Sequence, residues 1–446
     1  AGISRLILIC LAYFRIHFAV VIVILSSVCL GQRAFAKHDE LIPSGQKTLQ
    51  ICASGCAFSS IKSALDSAKN GDRLFIKSGT YQESPIEITK EVILEGELDQ
   101  KQPVAIIDGQ TKDDVLVIKA DNVVLRNIKL MNSGQSQVRD LAAIRVVERK
   151  NVTIHNCQIE NSFFAMMFEK TENAHVIGNH IMGPKNADQN TGNGIHFWTA
   201  QNAVIQNNYI QGQRDGIYFE FVKDSLIEGN KKKKNYRYGL HFMFSDRNTY
   251  KDNTFESNEA GVAVMYSKKI EMNHNNFFKS IGGAAYGLLL KDIYDSKIHD
   301  NTFKDNTVGV YMEGSNRSVL LENTFEKNGI AVKLLANCED NHFNQNRFLS
   351  NAFDMTTNGT ANYNHFEKNY WDQYSGFDLN NDGFGDVPYK PLRMSSLLME
   401  KYDLSFLLMK SFLFELADLG EKVFPNITPE TFQDNEPQMV DQKIKK

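Results

Sequence analysis

The segments YGLHFMFSDRNTYKDNTFESNE (238–259), AGVAVMYSKKIEMNHNNFFKSI (260–281), VGVYMEGSNRSVLLENTFEKN (308–328) and GIAVKLLANCEDNHFNQNRFLSN (329–351) align one above another. Each opens near a glycine, passes through alternating apolar residues and reaches an Asn followed by Phe. The glycines are Gly194, Gly216, Gly239, Gly261, Gly287, Gly309 and Gly329; the asparagines are Asn208, Asn230, Asn253, Asn276, Asn301, Asn323, Asn346 and Asn369. A fixed period of this length means that one supersecondary unit stacks on the next. Function is then written on the side or the ends of a solenoid.

The strands are short, of period two and quickly followed by turns, with no helical pattern between them. This predicts an all-β fold, a right-handed parallel β-helix. Stacked amides satisfy one another and the backbone of a tight bend, so a recurring Asn predicts a ladder. Phe303, Phe325, Phe348 and Phe366 are expected to stack in the core. Roughly 11–13 rungs at about 4.8 Å each give a rod of roughly 55 Å.

Alternation assigns the faces. The first and third residues after each glycine are apolar, among them Leu240/Phe242, Val262/Val264 and Ile330/Val332, and are expected inside. The second and fourth then face outward: His196/Trp198, Tyr218/Glu220, His241/Met243, Ala263/Met265, Leu289/Lys291, Tyr311/Glu313 and Ala331/Lys333. A stripe rich in His, Trp, Tyr and Met is unusual for a solvated sheet face. Met243 and Met265 share one register on adjacent rungs, and His241 lies two residues away on the same face. Thioethers with an imidazole suit Cu(I), a soft ion satisfied by two or three ligands. Met167, His196, Trp198 and Tyr218 extend the stripe as a surface for a protein partner.

Several segments flank the repeats. Residues 1–36 read as a secretory signal: Arg5 and Arg15, an apolar run over 18–31, and the small-x-small site at 34–36. An uncleaved anchor is the alternative. The signal carries three Arg and no acid, so the remainder is more acidic than the −4 of the whole chain. Such a chain gives no reason to expect nucleic acid. Cys52 and Cys56 are a disulfide candidate in an exported chain, and Cys157 and Cys338 read as small core residues.

Within 37–75, SSIKSALDSAK (59–69) has helical spacing with Ser59 or Ser60 as N-cap, a helix able to cover the first rung. The β-helix is expected over 76–371. Lys231–Lys234 read as a solvated turn. The loop 372–391 contains Asp378, Asn380, Asp382, Phe384 and Asp386 in the pattern D-x-N-x-D-G-x-x-D, the first part of a calcium loop without its closing Glu. A structural Ca²⁺ and an Asx-rich turn both fit. Residues 392–446 hold an apolar helical segment (404–420) and a Pro-punctuated tail from 425, read as a docking segment or disordered.

The strings RYGLHFMFSDRN (237–248), GVAVMYS (261–267), AAYGLLLKDI (284–293), NYWDQYSGFDLNNDGFGDVPY (369–389) and the stretch 407–439 resemble the NosD family over about residues 40–440. The resemblance implies a non-enzymatic periplasmic protein, held at the inner membrane through a permease. It implies work with an ABC-type ATPase and that permease, a copper-chaperone lipoprotein and apo nitrous oxide reductase, whose copper centre is assembled. His241, Met243 and Met265 lie in the matching strings; their role as ligands rests on register alone. The alternative on the same fold is a polysaccharide lyase or epimerase, which needs acids and bases along a groove, and the stripe offers no such cluster on adjacent rungs.

Overall fold

The computed structural model describes residues 47–136, 138–185, 191–359, 363–393, 395–396 and 432–441. The signal (1–36), the segment 404–420 and the tail ends lie outside these residues. Three parallel sheets of 14, 13 and 12 strands wrap one core. The longest sheet gives 14 rungs, slightly more than the 11–13 expected. It begins at Thr48–Ile51, paired with Arg73–Ile76, so the first rung starts ahead of the helix and not at 76. The helix spans Ile61–Ser67, with Ser60 as N-cap accepting from the Ser63 amide, and buries Ile61, Ala64 and Leu65 against the first rungs. Cys52 and Cys56 are bridged just before it.

The bend between the first and second sheets explains the recurring Asn. A left-handed residue, such as Asp252 (φ 56°) or Asp300 (φ 55°), turns the chain. The following Asn points inward. Asn230 Nδ2 donates to Asn253 Oδ1 at 3.0 Å and to the Ile205 carbonyl at 2.8 Å, and the Asn230 amide also donates to Asn253 Oδ1 at 3.0 Å. The same pattern repeats from Asn179 to Asn369. The ladder member in the fourth position is Asn275 and not Asn276, because His274 (φ 54°) is the bend residue and fixes the parity. A further ladder runs through Asn235 and Asn258, and another through Asn306, Asn328 and Asn351. Buried polar groups in these bends are thereby paired, as a close-packed interior requires.

The repeat glycines mark close approach between rungs. A Cβ on Gly239 would lie 2.7 Å from the Gly261 carbonyl oxygen. In the last repeat Ala331, not Gly329, takes this column, since Val308 pairs with Ile330 and Val310 with Val332. Ala331 is therefore inside, and Ile330 joins Val308 and Phe353 in a separate outer apolar cluster.

The core carries an aromatic stack, Phe255–Phe277–Phe303–Phe325–Phe348–Trp371, with centroids 4.1–5.1 Å apart. Phe366 is not in it; it stacks on Phe343 in the first sheet, and Trp371 takes the expected place. Lys232 also departs from expectation. Lys231–Lys233 is a strand, and Lys232 replaces an apolar residue between Ile210 and Phe255, fully buried. Its Nζ donates to Asn253 Oδ1 at 3.1 Å and lies 4.4 Å from the Phe255 ring centroid.

Residues 432–441, expected to dock elsewhere or stay disordered, close the final rung. Phe432 is buried beside Phe366. Asp434 Oδ2 accepts from the Asn369 amide and Nδ2, both at 2.9 Å, and from Trp371 Nε1 at 3.1 Å. Asp441 pairs with Arg347.

Candidate functional site

The outer face of the third sheet carries two adjacent rows. Parallel pairing aligns Arg145, Met167, His196, Tyr218, His241 and Ala263 in one row. The other row is Glu169, Trp198, Glu220, Met243, Met265, Lys291 and Glu313. The expected alternation holds along this face. Met243 and Met265 are direct partners on neighbouring rungs, both partly exposed. His241 lies on the same face of the same strand as Met243, one pleat away, about 6.5 Å along the chain.

The row from Met167 to Ala263 is the more enclosed of the two. Met167 packs with Ala142, Phe163 and Phe164. The His196 ring contacts Tyr218 at 4.7 Å, and Tyr218 contacts His241 at 4.9 Å, both edge to face. His241, expected outward and open, is only 6% exposed, boxed between Tyr218, Tyr238 and Arg237. Burial, reinforced by Arg214, pushes His196 down to about 4, so it is neutral at pH 7. Burial, then Glu220, pushes the Tyr218 phenol up to about 12.

An ionic frame supports the row, and sequence reasoning missed it. Asp215, fully buried, accepts from Arg237 Nε at 3.0 Å and Nη2 at 2.6 Å. His241 Nδ1 stands 3.2 Å from Arg237 Nη2 and 3.6 Å from Asp215 Oδ2. At the other end Arg145 pairs with Asp114 at 2.9 Å and with Glu169. Charged residues do therefore cluster on adjacent rungs of the stripe. The signal in sequence was RDG at 214–216 and RYG at 237–239, each one repeat apart with its charge just before the glycine.

This frame holds one side of the His241 ring and leaves the other free. Nε2 of His241 and Nε2 of His196 are both buried without a hydrogen-bond partner. A buried polar atom left unpaired is costly unless something else satisfies it. In the structure Arg237 Nη2, which can only donate, faces His241 Nδ1 at 3.2 Å. A metal bound at Nε2 needs the Nδ1–H tautomer, so the ring would have to shift its Nδ1 from Arg237 to Asp215 Oδ2, now 3.6 Å away. Two thioethers and one imidazole are a soft donor set that fits Cu(I) and does not fit a hard ion.

The calcium-like loop is built differently. Asp378 Oδ1 and Oδ2 accept from the Asp382 and Gly383 amides, at 3.2 and 2.9 Å. Asn380 Oδ1 accepts from Asp382, Asp382 Oδ1 from Phe384, and Asp386 Oδ2 from Leu379. Phe384 lies in an antiparallel bridge with Gln438. Both oxygens of Asp378 and one each of Asn380, Asp382 and Asp386 thus accept from amides of the loop itself.

The fold and this face define a β-helix protein whose side carries two methionines on neighbouring rungs beside an enclosed histidine. The family model described as "Periplasmic copper-binding protein (NosD)" matches residues 184–376, which include both rows from His196 onward. A probable ABC transporter binding protein NosD of Stutzerimonas stutzeri is 29% identical over 358 residues, covering 76% of this chain and 81% of that protein. Its counterpart in Pseudomonas aeruginosa PAO1 is 27% identical over 354 residues, covering 75% and 82%. The chain is similar to the NosD family over these residues.

Solved structures share the fold alone. The catalytic unit of an α-1,3-glucanase from Streptomyces thermodiastaticus superposes with a TM-score of 0.59 at 14% identity, covering 74% of this chain and 70% of that one. A Yersinia enterocolitica family 28 exopolygalacturonase gives 0.53 at 11% identity, covering 74% and 79%. No helix among the described residues is long and apolar enough to cross a membrane.

Proposed function

We propose that this chain is a non-enzymatic periplasmic protein that receives Cu(I) on the outer face of its third sheet. In this reading it serves an ABC-type ATPase and permease in assembling the copper centre of nitrous oxide reductase. A copper-chaperone lipoprotein supplies the ion, and the apo reductase receives it. One observation carries the reading: Met243 lies over Met265 beside an imidazole whose Nε2 is buried and unpaired. The names of the family and of its relatives support copper binding and association with a transporter. Attachment to the inner membrane through the permease is part of the same proposal.

His241, Met243 and Met265 hold the ion. Copper supplies the redox and ligand-exchange chemistry of the final centre, while this chain's residues bind, release and shield it. Asp215 and Arg237 position the His241 ring, acting through it and not on the ion. Met167, His196, Trp198 and Tyr218 offer an aromatic surface for the partner that delivers or takes copper. The carbohydrate reading needs accessible acids and bases. Asp215 is fully buried under Arg237 and His196 is neutral and enclosed, which favours the copper reading; Glu220, Lys291 and Glu313 remain partly exposed charges of this face.

The test is made in cells. With Met243→Leu and Met265→Leu together, nitrous oxide reductase is expected to accumulate without its copper complement, while the variant chain itself reaches normal levels. A fully loaded reductase in that background removes the stripe from copper delivery.

A further inference from the structure

A second constellation lies on a different sheet, near the end of the rod. His342 and His365 are register partners on adjacent rungs of the first sheet, with rings 4.6 Å apart and 21° from parallel. The pairing shifts by one residue between Glu339 and His342. Asp340 is the residue gained there, in the left-handed conformation (φ 58°) ahead of the ladder residue Asn341. That bend turns its carboxylate outward over both rings. Asp340 Oδ1 stands 3.7 Å from His342 Nε2 and 3.7 Å from His365 Nε2. All three ligand atoms lie within 4.8 Å of one another, the one such group of His, Cys, Asp and Glu among the described residues.

We infer that Asp340, His342 and His365 form a binding site for a borderline divalent transition-metal ion, with Zn²⁺ as the probe. A distance of 3.7 Å is too long for a hydrogen bond. It suits two ligands of one ion, since atoms about 2.1 Å from a tetrahedral centre lie roughly 3.4 Å apart. Two imidazoles and one carboxylate are the donors such ions prefer, whereas Cu(I) prefers thioether or thiolate. The side chains are 53–61% exposed, so a fourth position stays open to water or to a ligand from another molecule. The nearby cation Arg317 is engaged 2.8 Å from Asp295 Oδ1. Strand register holds both imidazoles in place before any ion arrives. The inference is independent of the copper reading: it uses another sheet, other donors and another ion.

The experiment is a Zn²⁺ competition titration of the metal-stripped full chain against a chromophoric chelator. The parent is compared with His342→Ala/His365→Ala, with Asp340→Asn, and with Met243→Leu/Met265→Leu. The parent is expected to bind one Zn²⁺ that the histidine double variant loses. Asp340→Asn should weaken that site at least 10-fold, and the methionine variant should keep it unchanged. All substituted positions in the cluster are exposed, and an unaltered thermal midpoint confirms that each variant is folded. Equal Zn²⁺ binding by the parent and the histidine double variant overturns the inference. So does loss of the same site in the methionine variant.

Discussion

Met243 lies directly over Met265, Cα partner to Cα partner, on adjacent rungs of the third sheet. Parallel in-register stacking makes this possible: one residue position repeated a coil later becomes a neighbour about 4.8 Å away. Two thioethers are thereby brought together without any loop to position them. The same stacking places His241 in the row beside them and Asp215 with Arg237 behind it.

The end of the rod depends on one carboxylate. Asp434 accepts the bonds that a further ladder Asn would accept, from Asn369 and Trp371. Asp434→Ala leaves buried donors unpaired and is expected to lower stability by about 2–4 kcal/mol. Asp434→Asn keeps an acceptor oxygen and should be far milder. Urea unfolding of the two variants checks the order. Equal losses would mean that the acceptor is not what closes the rung.

Lys232 is a buried amine in an apolar column. Burial holds its pKa well below the ordinary lysine value, so between the folded and the unfolded value the unfolded chain binds a proton that the folded chain lacks. This penalty shrinks as pH rises toward the unfolded value. Lys232→Leu is expected to raise stability at pH 7 by about 1–3 kcal/mol and to flatten the rise in stability between pH 7 and pH 10. Asn253 Oδ1 keeps two donors from Asn230, so little is lost with the amine. Thermal unfolding at the two pH values measures both effects, and a destabilised variant at pH 7 would contradict the account.

The loop at 378–386 uses its side-chain oxygens on its own amides. The thermal midpoint is therefore expected to be the same with a calcium chelator and with added Ca²⁺. A midpoint raised by Ca²⁺ and returned by Asp382→Ala would instead establish an ion there by mass action.

The period, the inward and outward alternation and the Met243–Met265 register were legible in the sequence because each is a property of spacing. The misassignments came where spacing is silent. At NHNN (273–276) two adjacent amides compete for one inward position, and only the left-handed His274 decides for Asn275. Gly329 stands two residues ahead of the glycine column, which shifted Ile330 and Ala331 to the wrong faces. Lys232 broke polarity inside a column whose neighbours are apolar. The frame of Asp215, Arg237 and His241 needs contacts between rungs and across the bend, and Asp434 meets Asn369 only through the path of the chain after the last rung.

The central claim is that Met243, Met265 and His241 bind Cu(I), and an anaerobic Cu(I) titration against a colorimetric chelator tests it most directly. The parent is predicted to take Cu(I) from the chelator in preference to Zn²⁺ or Mg²⁺. Met243→Leu/Met265→Leu conserves volume on a surface row and should stay folded, yet bind at least 10-fold more weakly. His241→Phe should lose affinity as well. A methionine double variant that binds Cu(I) as tightly as the parent would contradict the assignment.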